Sequence, residues 1–285
     1  MSVRVIPRLD IKGPDLVKGI RLEGLRVLGR PGDFARWYYE HGADELIYVD
    51  VVASLFQRNS LLDLVRETAT AIFVPLTVGG GIRSLDDIRD TLRAGADKVA
   101  INTGAVARPE FIREASTRFG SSTITVTIEA IRSPDGSYYA YTDNGREETG
   151  LEVVTWAKQV EELGAGEILL TSVDRDGTGK GYDLELTRSI ADAVDIPVIA
   201  SGGPGNPDHV LEVVREGHAD AVAVASLLHY GVLETANLTH DEAEGNTSFV
   251  RSGRAPLVRG IPLPDVKQRL IEAGLHVRPT EGGPR

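Results

Sequence analysis

Cysteine is absent from the 285 residues, and methionine appears once. Disulfides, thiolate metal sites and cysteine nucleophiles are thereby excluded. Basic residues are in deficit, 31 Lys and Arg against 42 Asp and Glu, for a formal net charge of -11. A chain so charged is not expected to bind nucleic acid, where neutralising phosphates supplies most of the affinity. A local basic pocket for a phosphorylated metabolite stays compatible with it. No run approaches the 18 or so apolar residues of a membrane span. The opening stretch MSVRVIPRLD passes directly into a strand pattern, so neither a signal peptide nor a membrane segment is expected. A cytoplasmic protein follows as the expectation. None of the six histidines stands at the spacing of a metal site, and no cofactor motif is read.

Short Val, Ile and Leu runs alternate with amphipathic stretches. Strands are expected at Val3–Ile11, Glu45–Val51, Phe73–Val78, Lys98–Ile101, Thr123–Glu129, Glu167–Thr171, Pro197–Ser201 and Ala221–Ala225. Helices are expected between them, at Pro31–His41, Ser84–Ala94, Pro109–Phe119, Leu151–Leu163, Leu184–Ala193 and Pro207–Glu216. Continuous apolar strands belong to parallel sheets covered on both faces. Eight such units in this length define an α/β fold, the (β/α)₈ TIM barrel. A doubly wound open sheet is the rival, but it needs a strand-order reversal and usually a glycine-rich first turn, and neither is visible.

The chain also repeats itself. A shift of 123 residues lays Gly79-Gly80 on Gly202-Gly203, Ala96-Asp97 on Ala219-Asp220, and Thr103 on Ser226. A shift of 122 lays Gly42-Ala43 and Glu45 on Gly164-Ala165 and Glu167. Shared Gly-Ala-Asp turns would explain part of this. They would not explain the glycine pair and hydroxyl recurring at one register, so an internal half-barrel duplication is the better account. The expected organisation is one barrel domain over residues 1–285. A hairpin-like insertion is expected at about 133–148 and a polar, Arg-bearing one at about 233–260. A final helix lies near Pro264–Ala273, with a frayed tail at 279–285.

Active sites of such barrels lie at the C-terminal ends of the strands. The repeat puts Gly80, Gly81, Asn102 and Thr103 on one side of the mouth, with Gly202, Gly203, Ala225 and Ser226 on the other. Glycines after strands let backbone N–H groups approach an anion, and helix N-termini add positive dipole. Two symmetric loops predict a substrate with a phosphate at each end. Asp10 and Glu129 close strands one and five, opposite one another, and suit acid/base work. Asp176 and Gly177 follow strand six. Lys18, in a long loop after strand one, is within reach of a phosphate. At the strand starts, Arg4, Glu45, Lys98 and Glu167 alternate in sign, a pattern for a closed salt-bridge ring. Alternation also puts Arg8 on the inward face with Arg4 and Asp10. A buried guanidinium requires partners, so Arg8 is expected to bond Glu129 or Asp10, with threonine hydroxyls of strand five as secondary partners.

These residues resemble the cyclase subunit of imidazole glycerol phosphate synthase over about residues 3–230 and again at Pro264–Pro279. The carriers are Arg4-Val-Ile-Pro-Arg-Leu-Asp10, Leu16-Val-Lys-Gly19, Gly42-Ala-Asp-Glu-Leu46, Thr77-Val-Gly-Gly-Gly-Ile82 and Gly95-Ala-Asp-Lys-Val-Ala-Ile-Asn-Thr103. Gly164-Ala-Gly-Glu-Ile168, Asp174-Arg-Asp-Gly-Thr178, Gly181-Tyr-Asp-Leu-Glu185 and Ala200-Ser-Gly-Gly203 complete them. The resemblance implies a separate glutaminase docked on the strand-start face in a heterodimer. Its ammonia would pass the Arg4/Glu45/Lys98/Glu167 gate and attack a bisphosphorylated ribulosyl-formimino aminoimidazole carboxamide nucleotide. Imidazole glycerol phosphate and the carboxamide ribonucleotide would be the products. It places catalysis on Asp10 and Glu129 and adds Thr171 to the substrate side. The chain departs from the pattern in having Glu129 where the family has aspartate, Arg8 where it has a small residue, and a longer 233–260 connection. Those departures keep two alternatives in view. One is a paralogue that passes ammonia to an amidotransferase of nucleotide-sugar biosynthesis. The other is a non-catalytic scaffold for a glutaminase, against which the two phosphate loops argue.

Overall fold

Residues 2–53, 61–236 and 258–280 are described by a computed structural model of the chain. Among them, eight strands pair in parallel and close on themselves. Five are β1 (Arg4–Lys12), β4 (Leu46–Asp50), β5 (Leu76–Gly79), β6 (Lys98–Ile101) and β7 (Ile124–Arg132). The others are β10 (Glu167–Ser172), β11 (Val198–Ser201) and β12 (Ala221–Val224). β7 pairs β10 from Glu167 with Thr125 to Ser172 with Ala130, and β12 pairs β1 from Arg4 with Ala221 to Pro7 with Val224. The expected (β/α)₈ barrel is the result.

The barrel strands are buried on both faces, which is why they read as unbroken apolar runs. Outward residues such as Val5, Leu9 and Tyr48 pack under the helices with Phe34, Tyr38 and Leu227. Inward residues Ile6, Ile47, Leu169, Ile199, Ala221 and Ala223 fill the lower barrel. The recurring Ala-Asp turn has a definite task. Asp44, Asp97 and Asp220 each accept, through a carboxylate oxygen, the backbone N–H of Val5, Leu76 and Val198 at 2.8, 2.9 and 2.9 Å. Each aspartate thus ties the start of its own strand to the start of the preceding one. In the fourth turn Gly166 replaces the acid, because a Cβ there would lie 2.2 Å from the Ser121 carbonyl oxygen.

Four expectations are corrected. The segment after strand one is no loop but the hairpin β2 (Asp15–Ile20) and β3 (Glu23–Gly29). Its turn residues Arg21 and Leu22 are both left-handed, at φ 53 and 61°, and lack the Asn-Gly signature that usually announces such a turn. The insertion after strand five starts at the expected position but runs further, to Glu152. β7 continues to Arg132, and the hairpin is β8 (Tyr138–Thr142) with β9 (Glu147–Glu152). The following helix starts at Val153 rather than Leu151, because the Glu152 carboxylate caps it by accepting N–H groups of Val154 and Thr155. Phe73 is no strand residue; it is 80% exposed ahead of β5, its ring against Tyr39. Most of the 233–260 segment, including Arg251 and Arg254, lies outside the described residues, as do residues 281–285.

Candidate active site at the barrel mouth

Arg8 and Asp10 point inward from the same face of β1, and both are 2% exposed. The Arg8 Nε donates to Asp10 Oδ1 at 2.9 Å. Its Nη1 crosses the barrel to the hydroxyls of Thr171 on β10, 2.9 Å, and Ser201 on β11, 3.2 Å. The inward Arg8 and its bond to Asp10 are as expected. The hydroxyl partners come from β10 and β11, not from strand five, because the side chain reaches the wall two and three strands away rather than the strand opposite.

Lys18 enters from β2, whose antiparallel register sets Val17 beside Asp10. Its Nζ donates to Asp10 Oδ2 at 2.9 Å and to Asp176 at 3.0 Å. Asp176 also accepts the Leu22 N–H, and the Arg21 N–H donates to its carbonyl, so the loop after β10 is clasped to the hairpin. Gly177 permits that approach, since a Cβ would meet the Gly19 carbonyl oxygen at 2.6 Å. Lys18 therefore holds the acids rather than standing free.

Two buried cations and two buried carboxylates compensate one another here, and Glu129 is the carboxyl left over. Burial raises its pKa to about 7 against the opposing pull of Arg8 and the Gly145 N–H. Asp10 goes the other way: burial opposes its charge, but Arg8 and Lys18 outweigh it and hold it at about 2. Carboxyl groups driven apart in this way are suited to different proton roles. Glu129 does not bond Arg8 directly. Its Oε2 accepts the N–H of Gly145, 2.8 Å away in the β8–β9 turn.

A cavity opens over this cluster, lined by Arg8, Glu129, Gly80, Gly81, Asn102 and Thr103, among others. One expected phosphate loop and one of the two expected catalytic carboxyls thus border one space. The second loop, Gly202, Gly203, Ala225 and Ser226, follows β11 and β12 and does not border that cavity. The duplication is nevertheless visible in the backbone. Asn102 has φ, ψ of -118, -88° and Ala225, 123 positions on, has -117, -87°. Gly80 and Gly203 are both left-handed, at φ 94 and 119°, and a Cβ would strike the carbonyl oxygen of Asp50 or Gly181.

At the strand starts the four expected charges form a closed ring. Arg4 Nη1 lies 2.6 Å from Glu45 and 2.7 Å from Glu167; Lys98 Nζ lies 3.3 Å from Glu45 and 2.8 Å from Glu167. Each residue bridges two of opposite sign. Sequence reasoning missed one polar group behind the site. His229, fully buried, lies 2.7 Å from the Tyr38 hydroxyl through Nδ1 and 3.0 Å from the Arg8 carbonyl through Nε2. Burial depresses its pKa to about 3, so the ring is neutral. Nε2 then donates to the carbonyl and Nδ1 accepts from the tyrosine. One histidine within an apolar helix carries no signal of this in the sequence.

Fold and site together define a (β/α)₈ enzyme with a charged ring at one end and two buried carboxyls with paired glycine loops at the other. A family model for histidine biosynthesis proteins matches residues 4–234. The imidazole glycerol phosphate synthase subunit HisF of Methanopyrus kandleri is 51% identical over 249 residues, 81% of this chain and 92% of its own length. That of Legionella pneumophila is 58% identical over 204 residues, 72% and 96% of the two chains. That of Trichormus variabilis is 51% identical over 241 residues, 84% and 94%. The chain belongs to the histidine biosynthesis protein family, on the branch of the cyclase subunits of imidazole glycerol phosphate synthase, and is an enzyme of the lyase class. The nucleotide-sugar paralogue is not favoured at these identities. Among the described residues no helix is long and apolar enough to cross a membrane.

Proposed function

We propose that the chain converts the bisphosphorylated ribulosyl-formimino aminoimidazole carboxamide nucleotide into imidazole glycerol phosphate and the carboxamide ribonucleotide, using ammonia from a cytoplasmic glutaminase subunit. The observation that carries the division of labour is the opposed protonation of two buried carboxyls. Glu129 borders the cavity and titrates near neutral pH, so it is the group that gives and takes protons. Asp10, with one oxygen on Arg8 and the other on Lys18, is the permanently ionised partner. The loops at Gly80–Thr103 and Gly203–Ser226 hold the two phosphates, with Thr171, Asp176 and Gly177 at the rim of the second. The glutaminase docks on the face that carries the Arg4–Glu45–Lys98–Glu167 ring, which admits ammonia to the barrel.

Ammonia-dependent turnover of the bisphosphate by the purified chain tests the reading. Turnover that Glu129→Gln removes supports it, whereas a wild-type chain that leaves the substrate unchanged refutes it. Crystals grown in phosphate are expected to hold one anion at each loop, related by the pseudo-two-fold axis.

A further inference from the structure

The cyclase reading gives work to both carboxylates and both loops but none to Arg8. Its three nitrogens are unequally committed. Nε is held by Asp10 and Nη1 by Thr171 and Ser201. Nη2 has no acceptor among the described residues. The buried side-chain atoms without a hydrogen bond are Thr91 Oγ1, Asn102 Oδ1, Thr125 Oγ1 and Ser172 Oγ. Nη2 is not one of them, and Arg8 lines the cavity beside Glu129 and the Gly80–Thr103 loop. Asp10 does not line it. The guanidinium therefore stands between the acid and the open space, held by three partners with Nη2 left uncommitted.

We propose that Arg8 contacts the substrate directly, Nη2 donating to an acceptor oxygen on the ribulosyl segment between the two phosphates. Arginine has only donors, so its partner must be an acceptor. The three anchors leave the guanidinium no freedom to swing to either phosphate loop, which fixes the contact on the middle of the substrate. Asp10 is then the positioning residue that aims it. A guanidinium held in advance loses little entropy on binding. The inference rests on the cyclase reading for the identity of the ligand.

Calorimetric titration of the bisphosphate substrate into Glu129→Gln, and into Arg8→Met combined with Glu129→Gln, tests it without turnover. Removal of Arg8 is expected to weaken the substrate at least tenfold while leaving the affinity for inorganic phosphate at the loops unchanged. Arg8→Lys, which keeps the charge but cannot hold Asp10, both hydroxyls and a ligand together, should fall between. Unchanged substrate affinity in the folded double variant overturns the proposal. Parallel loss of substrate and inorganic phosphate also overturns it, because that pattern belongs to a collapsed mouth. A wild-type chain that binds the substrate but fails to convert it removes the cyclase reading and leaves the contact to be judged on affinity alone.

Discussion

Glu129 takes the backbone N–H of Gly145 at 2.8 Å instead of pairing with Arg8. The β8–β9 turn, left-handed at Asp143, Asn144 and Gly145, thus reaches over the mouth and holds the acid by a neutral donor. Burial raises the acid's pKa to about 7; the amide, which stabilises a carboxylate less than a hydrogen-bonded guanidinium would, offsets only part of that. The turn also carries Asp143, whose N–H donates to Thr103 Oγ1 at 3.4 Å. The hairpin therefore touches both Glu129 and Thr103 of the first glycine loop.

The raised Glu129 pKa has a definite sign for stability. The folded chain keeps a proton that the unfolded chain releases between about pH 4.5 and 7, so stability falls as pH rises through that window. Glu129→Gln removes that slope. In urea unfolding at pH 8 it is expected to be the more stable protein by on the order of 3 kcal/mol, while turnover is lost. Equal slopes for the two proteins would disprove the buried, protonated acid.

Asp10 behaves oppositely. Its pKa is depressed, so its contribution is present above about pH 4 and lost as pH falls towards 2. Asp10→Asn is expected to cost on the order of 10²-fold or more in ammonia-dependent turnover, because misplacement by about 1 Å is enough for that. Steady-state rates at neutral pH check it, and a variant within threefold of wild type contradicts the role given to Asp10.

Arg8 and Glu129 share no hydrogen bond, yet the cation acts on the acid through the buried field. A double-mutant cycle on Arg8→Cys and Glu129→Asp is expected to give a coupling above the roughly 0.5 kcal/mol of independent sites. Additive losses in denaturant unfolding would show that the two positions are energetically separate.

The neutral histidine behind β1 links two buried groups. Tyr38→Phe leaves Nδ1 of His229 without a donor, and His229→Leu strands both the tyrosine hydroxyl and the Arg8 carbonyl. Each is expected to cost about 1–3 kcal/mol, the price of an unpaired buried polar group. The double variant should lose less than the sum. Thermal and urea unfolding measure it.

At the other end, Lys98→Met leaves Glu45 and Glu167 sharing Arg4 alone. If the ring admits ammonia, the expected outcome is altered glutamine-dependent turnover with ammonia-dependent turnover preserved. Assay of the same preparation with each nitrogen source decides it, and a parallel fall in both would assign the ring to folding only.

The barrel was legible because its determinants are local or periodic. Parallel strands covered on both faces must be apolar throughout, the helices between them must be amphipathic, and each half repeats the same loop glycines. The ring was legible for a related reason. Strand-start position and alternation place Arg4, Glu45, Lys98 and Glu167 on one inner layer whatever the rest of the chain does. Even Arg8 followed from alternation, since an inward guanidinium in a parallel barrel has to find acceptors. What it found was decided only by the closed sheet. Thr171 and Ser201 are 163 and 193 positions from Arg8, and they meet it because β10 and β11 curve round to face β1. Lys18 was drawn into the charge cluster because the turn at Gly13 and Pro14 folds β2 back on β1, carrying its ammonium to Asp10 and Asp176. The proton on Glu129 has the same origin. No pattern along the chain tells that this acid will be buried, and it is that burial, with Arg8 and the Gly145 N–H opposing it only in part, that raises its pKa.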